Sequence, residues 1–189
     1  MNKINFSEAF IPKIISGEKT QTRRLVKEGE YFDYELTRIP FQTRVVIVCS
    51  KLNGKGKVKW QVGKKYPVCV KGKQVWYCPK CKSNLSIAKY IYDEIGKSFA
   101  LKIGAVCNNC EEYAKPLFIE LTAIRKEKLL DITEEEAKKE GFKDRTRFIE
   151  GFCWIYYKWN AGEVFRNIMS GKILSLNPDV WVLEFKVVE

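Results

Sequence analysis

The sequence predicts an α+β fold, a small mixed β-barrel with flanking helices. Three observations predict it. Segments at 43–49, 58–62, 66–70, 117–125 and 180–188 are rich in β-branched and apolar residues and have the length and patterning of strands. Shorter segments between them carry helix start and stop signals, so strands and helices mix without a long helical repeat. The chain has 189 residues, 46% of them apolar, which suits one domain, or one domain with an insertion, around a sizeable core.

The elements follow in order. Residues 10–15 read as a short helix that starts either with Ser7 as its cap or with Pro12 in its first turn. Gly17 ends it, because glycine takes the left-handed geometry of a C-terminal cap without strain. Immediately past that cap come Lys19, Thr20, Gln21, Thr22, Arg23 and Arg24. A turn of this composition aims an amine, hydroxyls and two guanidinium forks at one place. That set suits a nucleobase, a phosphate or an acyl group better than a core.

Residues 25–42 mix charge, aromatics and Pro40 and read as a loop. The strand at 43–49 is followed by a turn over 52–57 containing Gly54 and Gly56, by an alternating strand at 58–62, and, after Gly63, by the strand at 66–70. Thr133 with Glu136 three residues on forms a capping box for a short helix that stops at Gly141. Asp144 caps the next helix, in which Phe148, Phe152, Ile155 and Trp159 make one apolar stripe. A short helix around 163–170 ends at Gly171. In the final strand Trp181 and Phe185 share one face and are expected to pack into the core.

Lys and Arg together number 34 against 23 acidic residues, a formal charge of +11 with no histidine. Such a balance favours a polyanionic partner, nucleic acid (RNA or DNA) foremost; the plainer reading is a basic surface without a special role. The missing histidine excludes imidazole acid–base chemistry and histidine metal ligation. No signal-peptide pattern opens the chain, and no segment approaches the ~20 apolar residues of a membrane-spanning helix, so no membrane partner and a cytoplasmic location are expected.

Residues 71–116 differ from their surroundings and read as an insertion between two parts, 1–70 and 117–189, of the main domain. They hold Cys78-Pro79-Lys80-Cys81 and Cys107-Asn108-Asn109-Cys110. A two-residue spacer lets both thiolates of a knuckle reach one ion at ~2.3 Å, and two knuckles complete a tetrahedron. A closed four-cysteine sphere leaves no position for water, so the expected cofactor is a structural zinc in a ribbon. Redox dithiols are the competing reading. Cys49, Cys69 and Cys153 lie in apolar stretches and read as small buried hydrophobes. Lys71, Lys73, Lys80, Lys82, Lys89 and Lys97 surround the knuckles, with Trp76, Tyr77 and Tyr90 among them. They fit a surface for phosphates and stacked bases, and equally a solvated ribbon with aromatics filling its small core.

Four segments in order, 14–24, 63–68, 132–142 and 177–185, resemble the ASCH domain family in residue type and spacing. The resemblance covers the chain except for roughly 27–42 and the cysteine insertion. It implies a PUA-like β-barrel with flanking helices that binds or acts on RNA and related nucleotides. The ligand is then expected in a cleft lined by Lys19, Thr20, Thr22, Arg23, Arg24 and Glu140. One bacterial branch is an amidohydrolase that removes the acetyl group of N4-acetylcytidine, and its lysine, threonine and glutamate fall on Lys19, Thr22 and Glu140. This chain departs from that branch in its length, in its metal insertion and in Arg23, where the branch has an apolar residue. In such a triad a lysine acts as a base when neutral. Burial and the neighbouring arginines push its pKa down, while the glutamate opposes them. The simpler reading of the same pair is an ion pair that holds the first helix to the third.

Overall fold

The computed structural model describes residues 3–35, 42–48, 56–82, 84–85, 107, 109–110, 112–158, 162–163, 166–167, 170–171 and 177–188. The chain is mixed α+β, mostly strand, and divides into two compact units, one of residues 1–17, 65–120 and 187–189, the other of residues 18–64 and 121–186.

In the first unit β1 (Ile4–Asn5) pairs in parallel with β6 (Lys65–Val70), placing Ile4 opposite Val68. β7 (Lys73–Gln74) folds back on β6 through a turn at Lys71 and Gly72, both at positive φ. The start of β11 (Phe118–Lys128) pairs antiparallel with β6 on its other side. The short helix α1 (Ile11–Ile15) is preceded by a 3-10 turn, Glu8–Phe10, carries Pro12 in its first turn and buries Ile11, Ile14 and Ile15. Gly17 follows at φ +80°, as the cap requires. A small separate sheet, β10 (Lys115–Pro116), β8 (Trp76–Tyr77) and β9 (Asn84–Leu85), flanks the first cysteine knuckle in sequence.

In the second unit β2 (Gln21–Leu25) runs antiparallel to β12 (Asp179–Val188), with Thr22 opposite Leu183 and Gln21 opposite Glu184; β11 adjoins β12 on the other side. β12 buries Val180, Trp181, Val182 and Leu183 in succession, the signature of a strand covered on both faces. Trp181 and Phe185 are both buried, and the Trp181 indole N–H donates to Glu30. β3 (Glu30–Glu35), β4 (Gln42–Val48) and β5 (Gly56–Gln61) form an antiparallel meander with a register shift at Val45/Val46.

Helix α2 (Glu134–Lys139) starts with the expected capping box: Glu136 N–H donates to Thr133 Oγ1 and Thr133 N–H to Glu136 Oε2. It stops at Gly141, φ +82°, where the Gly141 N–H donates to Lys138 and the Phe142 N–H to Ala137, a Schellman ending. Asp144 caps α3 (Arg145–Tyr157). The core of this unit joins Leu129, Ile132 and Ala137 to Phe148, Phe152 and Val182.

Several expectations are corrected. The loop over 25–42 contains β3: the strand preference of Tyr31, Phe32 and Tyr34 prevails over the interspersed charges once β4 supplies a partner. The turn over 52–57 ends earlier, because β5 begins at Gly56. The apolar stripe of α3 is Phe148, Ile149, Phe152 and Cys153; Ile155 is 50% exposed in the last turn, just before the helix ends at left-handed Lys158. Among the described residues no strand pair closes a barrel. The strand orders β1-β6-β11 and β11-β12-β2 are open, and β3-β4-β5 is a sheet of its own. Residues 162–163 and 166–167 are helical and Gly171 has φ +72°; Cys49, Gly54, Lys89, Tyr90, Lys97, Trp159 and residues 164–165 and 168–169 lie outside the described residues.

Candidate functional site

The segment that enters β2 is fastened at both of its polar groups. Thr20 N–H donates to the Lys139 carbonyl at the end of α2, and the Thr20 carbonyl accepts from Phe185 N–H in β12. This fixes Lys19 against the C-terminal turn of α2, where Glu140 is the capping residue. The Lys19 ammonium donates to Glu140 Oε2 at 2.9 Å, to the Glu140 carbonyl, and to the Gln21 carbonyl at 2.8 Å. Both side chains are buried, 2% exposed as residues, and they come from positions 121 apart in the chain.

Local preference does not account for this pair. A carboxylate at a helix C-terminus meets the negative end of the dipole, and a buried ion pair seldom repays its desolvation. The arrangement holds because further charges surround it. Arg23 is 2% exposed; its NH1 donates to Glu140 Oε1 at 3.3 Å and its NH2 to Glu127 Oε2 and Glu136 Oε2, both at 3.0 Å. The guanidinium also lies 5.7 Å from the centre of the Phe148 ring. Arg125 extends the network, donating to Glu127, Glu136 and Glu184. Glu136 therefore caps α2 and also holds two arginines, the second role being invisible in a capping motif. Burial works to raise its pKa, but the Thr133 N–H and the charges of Arg23 and Arg125 prevail and hold it below 4.5.

Burial pulls the pKa of Lys19 below 10.5; Glu140 opposes this by charge and hydrogen bond, and Arg24 and Arg23 assist it. The net direction is the one a lysine base needs. Thr22 is buried on β2, and its hydroxyl accepts from Arg24 NH1 at 2.9 Å. Strand alternation puts Thr22 and Arg24 on one face of β2 and Gln21 and Arg23 on the other. The structure thus brings Lys19, Glu140 and Arg23 into direct contact and joins Thr22 to Arg24, whose charge acts on Lys19. Thr20 and Arg24 are half-buried. Sequence reading passed over Gln21, Glu127, Arg125 and Glu184. The signal for Gln21 was its place two residues from both Lys19 and Arg23; the other three had none, since their roles arise from strand packing.

Cys78, Cys81, Cys107 and Cys110 converge within the first unit. Their sulfurs all lie within 4.8 Å of one another, and Cys81 and Cys107 are 3.6 Å apart. Tetrahedral bonds of ~2.3 Å set sulfurs about 3.8 Å apart, whereas a disulfide needs about 2 Å, so the cluster fits a metal site. Its backbone suits the purpose: the Lys82 N–H returns to the Cys78 carbonyl, with Lys82 at φ 59°, and the Cys110 N–H returns to the Cys107 carbonyl. Hydrogen bonding to Cys81, then desolvation and hydrogen bonds to Cys107 and Cys78, push Cys110 up to about 12. Cys69 and Cys153 are buried, as expected of small hydrophobes. Tyr77 is 2% exposed and Lys82 lies over its ring, so this aromatic is packed away from solvent; Trp76 is half-buried, and Lys71, Lys73, Lys80 and Lys82 are exposed. Among the described residues no helix is long and apolar enough to cross a membrane.

Comparison of the chain with protein-family models, with curated proteins and with solved structures returns no match.

Proposed function

We propose that the chain is an ASCH-type protein of PUA-like architecture that binds RNA or a nucleotide through the Lys19–Glu140 site. The supporting observation is the convergence of Lys19 and Glu140 from distant positions into one buried contact, braced by Arg23. Thr20, Thr22 and Arg24 complete the expected binding set. In this reading Arg24, half-buried with its NH1 on the Thr22 hydroxyl and the Arg23 carbonyl, would meet the phosphate, and Arg23, clasped by carboxylates, would brace Glu140. The net charge of +11 would draw the polyanion in. Titration of the protein into single-stranded RNA at several salt concentrations tests the reading. Affinity falls linearly with salt on logarithmic axes, and Arg24→Ala weakens binding about tenfold or more. No binding at low salt to RNA, to DNA or to any nucleotide would refute it.

The lowered pKa of Lys19 favours a second reading, hydrolysis of the acyl amide of N4-acetylcytidine or a related nucleoside. The Thr22 hydroxyl, giving its proton to a neutral Lys19, would attack the acyl carbon and expel N4 with a proton delivered by Glu140, releasing cytidine; water would then hydrolyse the acyl-threonine ester to a carboxylate and restore the hydroxyl. Cytidine release that Lys19→Ala abolishes supports it; equal rates in the two proteins exclude it.

The four cysteines would hold one zinc ion as a closed structural site, which braces the ribbon and takes no part in the chemistry.

A further inference from the structure

Gln21 is the first residue of β2 and is 1% exposed. Both polar atoms of its side-chain amide, Nε2 and Oε1, are buried without a hydrogen-bond partner, and so is Nε of Arg23, which shares its face of β2. The Gln21 carbonyl accepts from Lys19, and the residue stands opposite Glu184 in the antiparallel ladder with β12. The amide therefore springs from a rigid strand beside the Lys19–Glu140 pair.

A buried amide with neither group satisfied weakens a fold, and folded proteins rarely keep one without an occupant to meet it. An apolar side chain of the same length would fill the space at less expense. Packing thus fails to explain glutamine here, whereas recognition explains it. A primary amide offers one donor beside one acceptor, in either order once the group flips, and it fits a neutral planar edge with the complementary pair. A phosphate offers acceptors only and would leave Oε1 unmet.

We infer that Gln21 is the specificity-determining residue of the site and reads the donor–acceptor edge of a single unpaired nucleobase. This rests on the nucleotide-binding reading above and narrows it. Because the amide is enclosed, the base reaches it as a free nucleoside or swung out of a strand, and a duplex groove does not.

Isothermal titration of the zinc-loaded 189-residue chain tests this with cytidine, N4-acetylcytidine, uridine, adenosine and guanosine, with ribose 5-phosphate as a base-free control. Gln21→Met keeps the length of the side chain and removes its polar atoms; Gln21→Leu is the second variant. Without ligand, at least one of the two melts at or above the wild-type temperature. That variant binds the preferred nucleoside about tenfold or more weakly, while its response to ribose 5-phosphate is unchanged. A short single-stranded oligonucleotide containing the preferred base shows whether a strand-borne base is taken as well. If the wild type binds a nucleoside and both variants bind it equally well, Gln21 does not read the base, and the nucleotide site stands without it. If both variants melt well below the wild type, the amide serves the fold and the inference is wrong. If the wild type binds no nucleoside more tightly than ribose 5-phosphate, base reading fails; absence of binding to RNA as well removes the site itself.

Discussion

Lys19 is an ammonium held where water is scarce, and opposing influences act on its protonation. Burial lowers its pKa more than the charge and hydrogen bond of Glu140 raise it. The folded chain then releases this proton at a lower pH than the unfolded chain, whose lysine titrates near 10.5. Between the two values the unfolded state binds more protons, so the contribution of Lys19 to stability rises with pH across that window and is least favourable below it. Denaturant unfolding at a series of pH values up to 10.5 should show this rise in the wild type and a flatter profile in Lys19→Met. The absolute stability of the variant is expected to fall by about 3 kcal/mol, because Glu140 is left buried with a partner missing. An equal slope in both proteins would mean that Lys19 titrates as a solvated lysine does.

At the scale of elements, α2 and α3 set the geometry of Glu140, and their packing has little slack. Gly151 in α3 faces the ring of Phe142, and a Cβ added there would lie 2.8 Å from Cε1 of that ring. The Phe142 ring meets Phe148 edge-on, with centroids 5.4 Å apart, and Phe148 in turn supports Arg23. Gly151→Ala should gain about 1 kcal/mol in helix propensity. Displacing the Phe142 ring should cost about 1–3 kcal/mol. A net loss near 1 kcal/mol in denaturant unfolding is expected; a gain would show that the ring moves aside freely. These helices were legible in the sequence because their signals are local: the Thr133/Glu136 box, the stop at Gly141 and the Asp144 cap each involve a few neighbouring residues. β3 was misread for the opposite reason. A strand with interspersed charges has no local signature that separates it from a polar loop, and it exists because β4 pairs with it.

For the molecule as a whole, the metal-site geometry makes the clearest demand. Elemental analysis should find about one zinc per chain, and chelation should remove hydrogen-exchange protection from β8–β10 and the knuckles before it affects β2, β11 and β12. Simultaneous loss everywhere would mean that the ion supports the entire chain. The cysteine spacing determined this cluster in advance, since a CxxC knuckle is short-range chemistry that needs only a second knuckle to meet it. The sequence likewise carried the motif around Lys19 and the strand and helix content. It did not carry barrel closure, because whether the edges of a sheet meet depends on strand pairings distant in the chain, and the described strands leave them open. Nor did it show that Arg23 is clasped by three carboxylates while the Gln21 amide beside it has no partner. Composition and periodicity place residues on a face; which charges that face then buries together is decided when β2 and β11 are packed against the end of α2.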